Sequence, residues 1–357
     1  MERNQNAPDR FSFFTSERDE TVHAPSISGL LGESKARSFK DLFRADQGIW
    51  WLDVLCPSDL EMRILAKAFG IHPLTAEDIR VQETREKVEL FKSYYFVCFR
   101  SFDHDKDSED FLEPVNIYLV VFKEGILSFH FEPTMHPANV RRRIRQLRDY
   151  LHVSSDWISY AIIDDITDVF MPSIHEMEQE TDAIEDAVLI ARSDDSGAML
   201  RRIGECRKRV MALFRLLFGK ADVIKQFAKR SHEGLSNGER SSDVGLYLGD
   251  IQDHVITMTQ TLVQIEKILS RSHANYLAQL SVDSISMNNR LNKALGKITF
   301  IATMLVPCTL LTSAFGMNVA VPGRDVNSLW PFFTLCGSMV LFVFICFLYA
   351  RRRGAFQ

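Results

Sequence analysis

The sequence predicts an α+β multi-domain membrane protein. A cytoplasmic α/β domain comes first, then a charged helical hairpin, then a long stalk helix continuing into two transmembrane helices. Three observations predict this. Two uncharged apolar segments, Ile298 to Phe315 and Trp330 to Ala350, are 18 and 21 residues long. Each is long enough to cross a hydrocarbon core of about 30 Å as a helix. Between Ile49 and about Glu132, short β-rich runs alternate with a helical pattern, which reads as a mixed sheet with covering helix. After Pro137 the pattern is helical almost without pause.

Residues 1–45 are polar with scattered Pro, Ser and Gly, and read as a partly disordered N-terminal segment. Within it, RFSFF (Arg10 to Phe14) is suited to an edge strand. No positive region followed by an apolar stretch marks a signal peptide, so insertion is expected to rely on the two C-terminal spans.

The α/β domain is placed at 46–150. Its candidate strands are IWWLDV, KVELF, YYFVCFRSF, VNIYLVVF and ILSFHF. The helix after Cys56 has Pro57 in its first turn, Ser58 or Asp59 as cap and Gly70 as stop. HDKDSED (His104 to Asp110) reads as a polar loop between two strands. ANVRRRIRQLRDYL (Ala138 to Leu151) carries arginines at 141, 142, 143, 145 and 148. A solvated helix face or intersubunit salt bridges explains them better than a nucleic-acid patch, because the net charge of −5 gives no global basic field.

Residues 151–242 form the charged hairpin. From Ser154 to Asp195 there are twelve acids against one Arg; from Ser196 to Arg230 there are ten Lys or Arg against two acids. SDDSG (Ser193 to Gly197) is the turn, and the two helices are expected to pack antiparallel and neutralise one another. Binding of divalent cations by the acid-rich helix is the competing reading. SHEGLSNGERSSD (Ser231 to Asp243) is a break. The stalk helix, 243–297, then carries Ile251, Val255, Met258, Leu262, Ile265, Ile268 and Leu269 at helical spacing. With the first span it makes a rod on the order of 100 Å, which needs neighbours to cover its apolar stripe.

The spans are placed at 298–315 and 330–350, with a loop at 316–329 and a basic tail at 351–357. Arg290, Lys293 and Lys297 precede the first span and Arg351, Arg352 and Arg353 follow the second, while the loop has one Arg, Arg324, beside Asp325. The positive-inside rule puts both ends in the cytoplasm and the loop outside. A plain anchor needs only one span, and a polar Asn at a helix mouth serves an anchor poorly. The six cysteines are scattered without CxxC or Cys/His metal spacing and read as free thiols in a reducing compartment. No GxxxxGK[ST], HExxH or GxSxG motif occurs, so no enzyme is expected.

Gly316-Met317-Asn318 between two spans, with a basic tail behind, resembles the CorA family of magnesium channels. Trp50 to Ile79, Arg85 to Phe102 and YLGDIQDHVITM (Tyr247 to Met258) look like that family's first strand and helix, next strand pair and stalk helix. GMNVAVPG, RSHANYLAQL and RFSFFTSE are similar to its fungal aluminium-resistance branch. The resemblance implies a homopentameric funnel in a lipid bilayer, Mg2+ as transported and regulatory ion, no organic cofactor, and no nucleic-acid partner.

Magnesium sheds water reluctantly and prefers octahedral oxygen ligands, so a fast pore should hold the hydrated ion through outer-sphere hydrogen bonds. Asn318 supplies an amide oxygen, Gly316 lets the backbone turn closely, and Met317 reads as packing because sulfur is soft. The resemblance implies that these three residues form the selectivity filter. Counting back from them, it implies that Thr309 lines a polar belt, Val306 and Ile298 make apolar constrictions, Asn292 makes a polar ring and Leu295 faces the same axis. Pro307 interrupts one backbone bond in mid-span, a possible kink. Ser281 stands where bacterial members carry a stalk aspartate, and Asp283 is the nearest acid. Val319 and Ala320 replace the acid that often follows the tripeptide, leaving Asp325 to attract cations. Asp78 in LTAEDI and Asp250 in YLGDIQDH match the cytoplasmic magnesium-sensing acids, where a bound cation would relieve repulsion and hold the pore closed.

The reading is passive, potential-driven Mg2+ influx through a pore gated by cytoplasmic Mg2+. A zinc or other transition-metal transporter on the same scaffold is one alternative, disfavoured by the lack of His or Cys at the mouth. A non-conducting membrane-anchored regulatory subunit is the other. The plasma membrane is the expected location, with the vacuolar membrane as alternative.

Overall fold

The computed structural model of the chain describes residues 9–17, 20–33, 42–43, 48–103, 105, 108, 111–147, 153–190, 196–233, 241–317, 319 and 329–352. The sheet is built from β1 (Phe11–Thr15), β2 (Val22–Ala24), β3 (Trp50–Leu55), β4 (Lys87–Leu90), β5 (Tyr94–Phe102), β6 (Pro114–Phe122) and β7 (Gly125–His130). The strands lie in the order β2-β1-β3-β7-β6-β5-β4. Among the described strands only β3 and β7 pair in parallel, with Trp50 opposite Gly125 and Leu55 opposite His130. The sheet is therefore mixed, as the alternation of strand and helix patterns predicts.

Two expectations about the N-terminal segment are corrected. RFSFF is not an edge strand, because β2 pairs outside it with Phe11 opposite Ala24. The boundary at residue 45 also cuts through the sheet, since β1 pairs with β3 from Phe11–Val54 to Thr15–Trp50. The physical reason is the phenylalanine content: Phe11, Phe13 and Phe14 are all buried. Arg10 ties this strand to the next helix through Glu61 at 2.7 Å and the Cys56 carbonyl at 3.0 Å.

One face of the sheet is covered by α1 (Ile27–Glu33), α2 (Asp59–Phe69) and α3 (Pro73–Arg80). Ser58 caps α2 in a capping box with Glu61, and Gly70 closes it in the left-handed region at φ 66°. Pro57 precedes the cap rather than sitting in the first turn. An aromatic cluster around Trp50 fills this layer, with Phe43, Phe69 and Phe122 at 4.9, 5.2 and 5.9 Å between ring centroids. The other face carries α4 (His136–Gln146) and α5 (Ser155–Asp168). Arg141, expected on a solvated face, is buried over the Trp51 ring and reaches Asp53 at 3.4 Å. The remainder of the expected arginine helix, from Arg148 to Leu151, lies outside the described residues, as does much of the polar loop at 104–110.

The acidic and basic stretches each form two helices, not one. The acidic stretch gives α5 and α6 (Phe170–Ile190), divided at Val169. The basic stretch gives α7 (Ser196–Leu217) and α8 (Lys220–Glu233), divided at Gly219 with φ 89°. The turn at 193–195 and residues 234–240 of the expected break lie outside the described residues. The charge complementarity operates between α6 and α7, where Glu180 and Arg202 pair at 2.7 Å. It also reaches the stalk helix α9 (Ser241–Phe315), through Arg207–Glu266 and Glu185–Arg271 at 2.5 Å each.

Helix α9 runs 75 residues without a break, through Pro307. Ile251, Val255, Met258, Leu262, Ile265 and Leu269 are buried, while Ile268 is half-buried at the margin of the stripe. The chain forms two compact units. One holds the sheet, α1–α8 and α9 as far as His273; the other holds the rest of α9 and α10 (Trp330–Arg352). Buried polar groups brace the first unit. His136 bonds Ser101 Oγ at 2.7 Å and Asp165 at 2.6 Å. Ser101 is 0% exposed, so this triad-like relay joins β5 to α4 and α5 and presents no nucleophile to solvent.

Candidate functional site

The second unit contains the two segments long and apolar enough to cross a membrane, the end of α9 and α10, with mean hydropathy of 1.8 and 2.3. From Val282 onward the apolar side chains of α9 are exposed, including Ile285, Leu291, Leu295, Ile298 and Val306. Surface of this kind requires lipid or a neighbouring chain to cover it.

The helix is continuous, so at about 100° per residue the faces can be read from spacing. Asn292, Leu295, Ile298, Val306 and Thr309 fall within one arc of roughly 120°. Ser281, eleven residues before Asn292, comes back onto that arc. Asp283, nine residues before it, lies half a turn from Asn292 and outside the arc, and is half-buried. Helical phase thus sets Asp283 apart from the face that carries Asn292 and Thr309. Leu291, four residues before Leu295 and 55% exposed, extends the apolar seam. It was missed by counting from the tripeptide, although its i, i+4, i+7 spacing with Leu295 and Ile298 carries the signal.

The Thr309 hydroxyl donates to the Val306 carbonyl at 2.9 Å, and Thr303 and Thr312 bond back to their own helix in the same way. A threonine whose proton is committed to the helix presents only lone pairs outward, which suits acceptance of hydrogen bonds from metal-bound water. At the helix end, the Gly316 amide donates to the carbonyls of Thr312 at 3.0 Å and Ser313 at 3.2 Å. A Cβ there would stand 3.3 Å from the Thr312 oxygen, so glycine permits the close backbone approach. Met317 is exposed. Asn318 and Asp325 lie outside the described residues.

The two candidate sensing acids both belong to the first unit. Asp250 is exposed on α9, with His254 3.9 Å away. Asp78 sits near the end of α3 and is paired with Lys87 at 2.8 Å; Lys87 also bonds Glu89 at 2.9 Å. Burial opposes the charge on Lys87, but Asp78 and Glu89 outweigh it and raise its pKa above the usual lysine value. Sequence reasoning missed Lys87, since a lysine opening a β-strand carries no spacing signal toward an acid on a preceding helix. Among the described residues, no group of three or more His, Cys, Asp or Glu is arranged to hold a metal ion.

The family described as CorA-like Mg2+ transporter protein matches residues 46–352. A putative metal ion transporter of Schizosaccharomyces pombe is 61% identical over 350 residues, covering 98% of this chain and 43% of that protein. Magnesium transporter ALR1 of Saccharomyces cerevisiae is 54% identical over 375 residues, covering 94% of this chain and 43% of that one. The chain thus spans less than half the length of these curated relatives. Among solved structures, the complete CorA magnesium transporter from Methanocaldococcus jannaschii has the same fold at 16% identity. Its TM-score is 0.62, with 96% of this chain and 97% of that one covered. The full-length CmaX protein gives a TM-score of 0.64 at 16% identity, covering 97% and 99%. The sheet order, the long stalk helix and the two apolar helices around Gly316 are accounted for together: the chain belongs to the CorA-like Mg2+ transporter family, in the branch that contains the yeast magnesium transporters.

Proposed function

We propose that this chain forms the conducting part of a magnesium channel, a homopentamer admitting hydrated Mg2+ passively through a pore whose mouth is Gly316-Met317-Asn318. The observation that carries the reading is the family match across 46–352, combined with two apolar helices flanking that tripeptide. The arc on α9 supports it. Asn292 and Thr309 supply polar acceptors, while Leu295, Ile298 and Val306 supply apolar constrictions between them. An inside-negative potential drives entry by about 2.3 kcal/mol per charge per 100 mV. Both termini face the cytoplasm, and the membrane is the plasma membrane. Asp325 helps to attract cations at the outer face.

Asp78 and Asp250 form the cytoplasmic sensing pair between neighbouring subunits, a bound cation holding the closed state. Lys87 competes with that cation for Asp78, so the metal must displace an ammonium to bind. Lys87→Met should therefore make internal Mg2+ a stronger inhibitor, while Asp78→Asn with Asp250→Asn should abolish the inhibition. Unchanged inhibition in the double variant would remove the gating part of the proposal.

The conduction test is dye-monitored ion entry into proteoliposomes under an imposed inside-negative potential, with Mg2+, Co2+ and Zn2+ each supplied. The wild type should conduct Mg2+, and Asn318→Ala should lose the flux while remaining oligomeric. Absence of Mg2+ flux from an intact wild-type oligomer would favour the regulatory-subunit reading, or the transition-metal reading if Zn2+ enters instead.

A further inference from the structure

The first unit holds an open cleft of about 500 Å3 that the conduction pathway does not use. One wall is α7, on which Lys208, Arg209, Ala212, Arg215 and Leu216 follow helical spacing and share a face. The opposite wall is Arg100 near the end of β5, with Phe111, Leu112 and Pro114 leading into β6. Among the described residues, four cations line the cleft against a single carboxylate, Glu113.

Among the described residues, none of the four cations is held in an ion pair. Elsewhere on α7, Arg202 is bridged to Glu180 and Arg207 to Glu266. Among the described residues no carboxylate forms an ion pair with Arg100, Lys208, Arg209 or Arg215. Arg215 donates Nε only to the Met211 carbonyl of its own helix, at 3.2 Å. Clustered like charges repel, so an arrangement of this kind gains from a neutralising anion.

The backbone of Arg100 is fixed from both sides. Its backbone N–H donates to Glu86 at 2.8 Å, and its carbonyl accepts from the buried Lys220 ammonium at 2.5 Å. Its Nε is buried and has no hydrogen-bond partner. A buried guanidinium N–H without an acceptor is costly unless a ligand supplies one.

Charge alone would suit any polyanion, but the other surfaces narrow the class. Phe111, Leu112 and Pro114 offer an aromatic and aliphatic flank beside the cations, and Ala212 and Leu216 an apolar floor. The volume lies in the range of sites for small organic ligands rather than single inorganic ions. We propose that this cleft binds a nucleoside polyphosphate, its phosphates held by Arg100, Lys208, Arg209 and Arg215 and its base lying against Phe111.

The test uses the full chain in lipid nanodiscs and calorimetric titration with adenosine triphosphate, tripolyphosphate and adenosine, in buffer free of divalent cations so that the phosphates keep their full charge. Adenosine triphosphate should bind saturably at one site per chain. Lys208→Glu with Arg215→Glu changes two exposed positions that do not support the core, and should weaken binding by about a hundredfold, roughly tenfold or more per cation lost. Phe111→Ala should weaken adenosine triphosphate binding while leaving tripolyphosphate binding unchanged. No saturable binding by the wild type, or unaltered affinity in the double charge-reversal variant, overturns the site. Equal affinity for tripolyphosphate and adenosine triphosphate overturns the nucleoside assignment.

Discussion

Asp53 shows how a single buried carboxylate sets a pH window. It accepts from Ser128 Oγ at 2.6 Å, and Ser128 in turn accepts from Trp51 Nε1 at 2.8 Å. His130 approaches it at 3.3 Å outside hydrogen-bond geometry, so that contact acts as charge attraction. Burial opposes ionisation of Asp53, but His130 and Arg141 outweigh it and hold its pKa below the usual carboxylate value. Burial likewise opposes protonation of His130, and the Asp53 charge outweighs that, raising its pKa above the usual histidine value. The signs then follow. The raised His130 contributes stability fully below about 6.5, and this is lost as pH rises through its folded value. The lowered Asp53 contributes above about 3.9, and this is lost as pH falls. Thermal unfolding should be most resistant between those limits, and His130→Asn should remove the alkaline limb of the profile. A wild-type midpoint that stays flat from pH 6 to 9 would contradict the charged pair. Gly125 makes a second residue-scale prediction. A Cβ there would fall 2.1 Å from the Trp50 ring, which the surrounding phenylalanines fix in place. Gly125→Ala should cost about 1–3 kcal/mol or more, read from denaturant midpoints.

At the scale of elements, α8 is anchored at its start by a buried lysine, with Ile224 and Phe227 buried farther along it. Lys220 follows Gly219 at the start of α8, is fully buried, and forms a very short contact with Glu86, with the Phe99 ring 4.0 Å from its ammonium. Burial depresses its pKa, with the Glu86 charge opposing the shift. Removing one partner of a buried pair leaves the other uncompensated, so Lys220→Met should cost about 3–5 kcal/mol. Adding Glu86→Gln should recover part of the loss, and a double variant no more stable than the single one would argue against the pair. Helix α2 behaves more simply: Ser58→Ala should cost about 1 kcal/mol through the lost cap. The boundaries of α2 were legible because Ser58 or Asp59 at the start and Gly70 at the end are local signals, and the structure chooses Ser58 through its box with Glu61. The pairing of Lys220 with Glu86 was not, because the partners stand 134 residues apart. The division of the charged stretches at Val169 and Gly219 was hidden for another reason. The charge pattern continues across both points, although Gly219, in the left-handed region, is a local stop of the same kind as Gly70.

At the scale of the molecule, the burial of α9 changes character along its length. Residues from Val244 to Leu269 bury their apolar stripe within the first unit, while Val282, Ile285, Leu291, Leu295 and Ile298 are exposed. The first half of the stalk therefore finds the neighbours its stripe needs within its own chain. A chain ending near Ser281 should fold as a soluble domain with one cooperative unfolding transition by circular dichroism. The full chain should require detergent or lipid. Aggregation of the shortened chain in aqueous buffer would show that the first half of α9 is not self-sufficient.

What the sequence alone determined was what is written in local or periodic form: the five principal strands, the start of α2 to within one residue and its stop at Gly70, two apolar spans, and a tripeptide distinctive enough to indicate the family. Hydrophobic periodicity and turn chemistry act over a few residues and can be read without the fold. The tertiary structure decided the rest. It carried β1 inside the sheet instead of at its edge, buried Arg141 over Trp51, gave Asp78 its lysine and turned Asp283 away from the face shared by Asn292 and Thr309. Each of these depends on residues distant in the chain, or on helical phase accumulated along α9. Only a folded backbone brings such groups to their final positions.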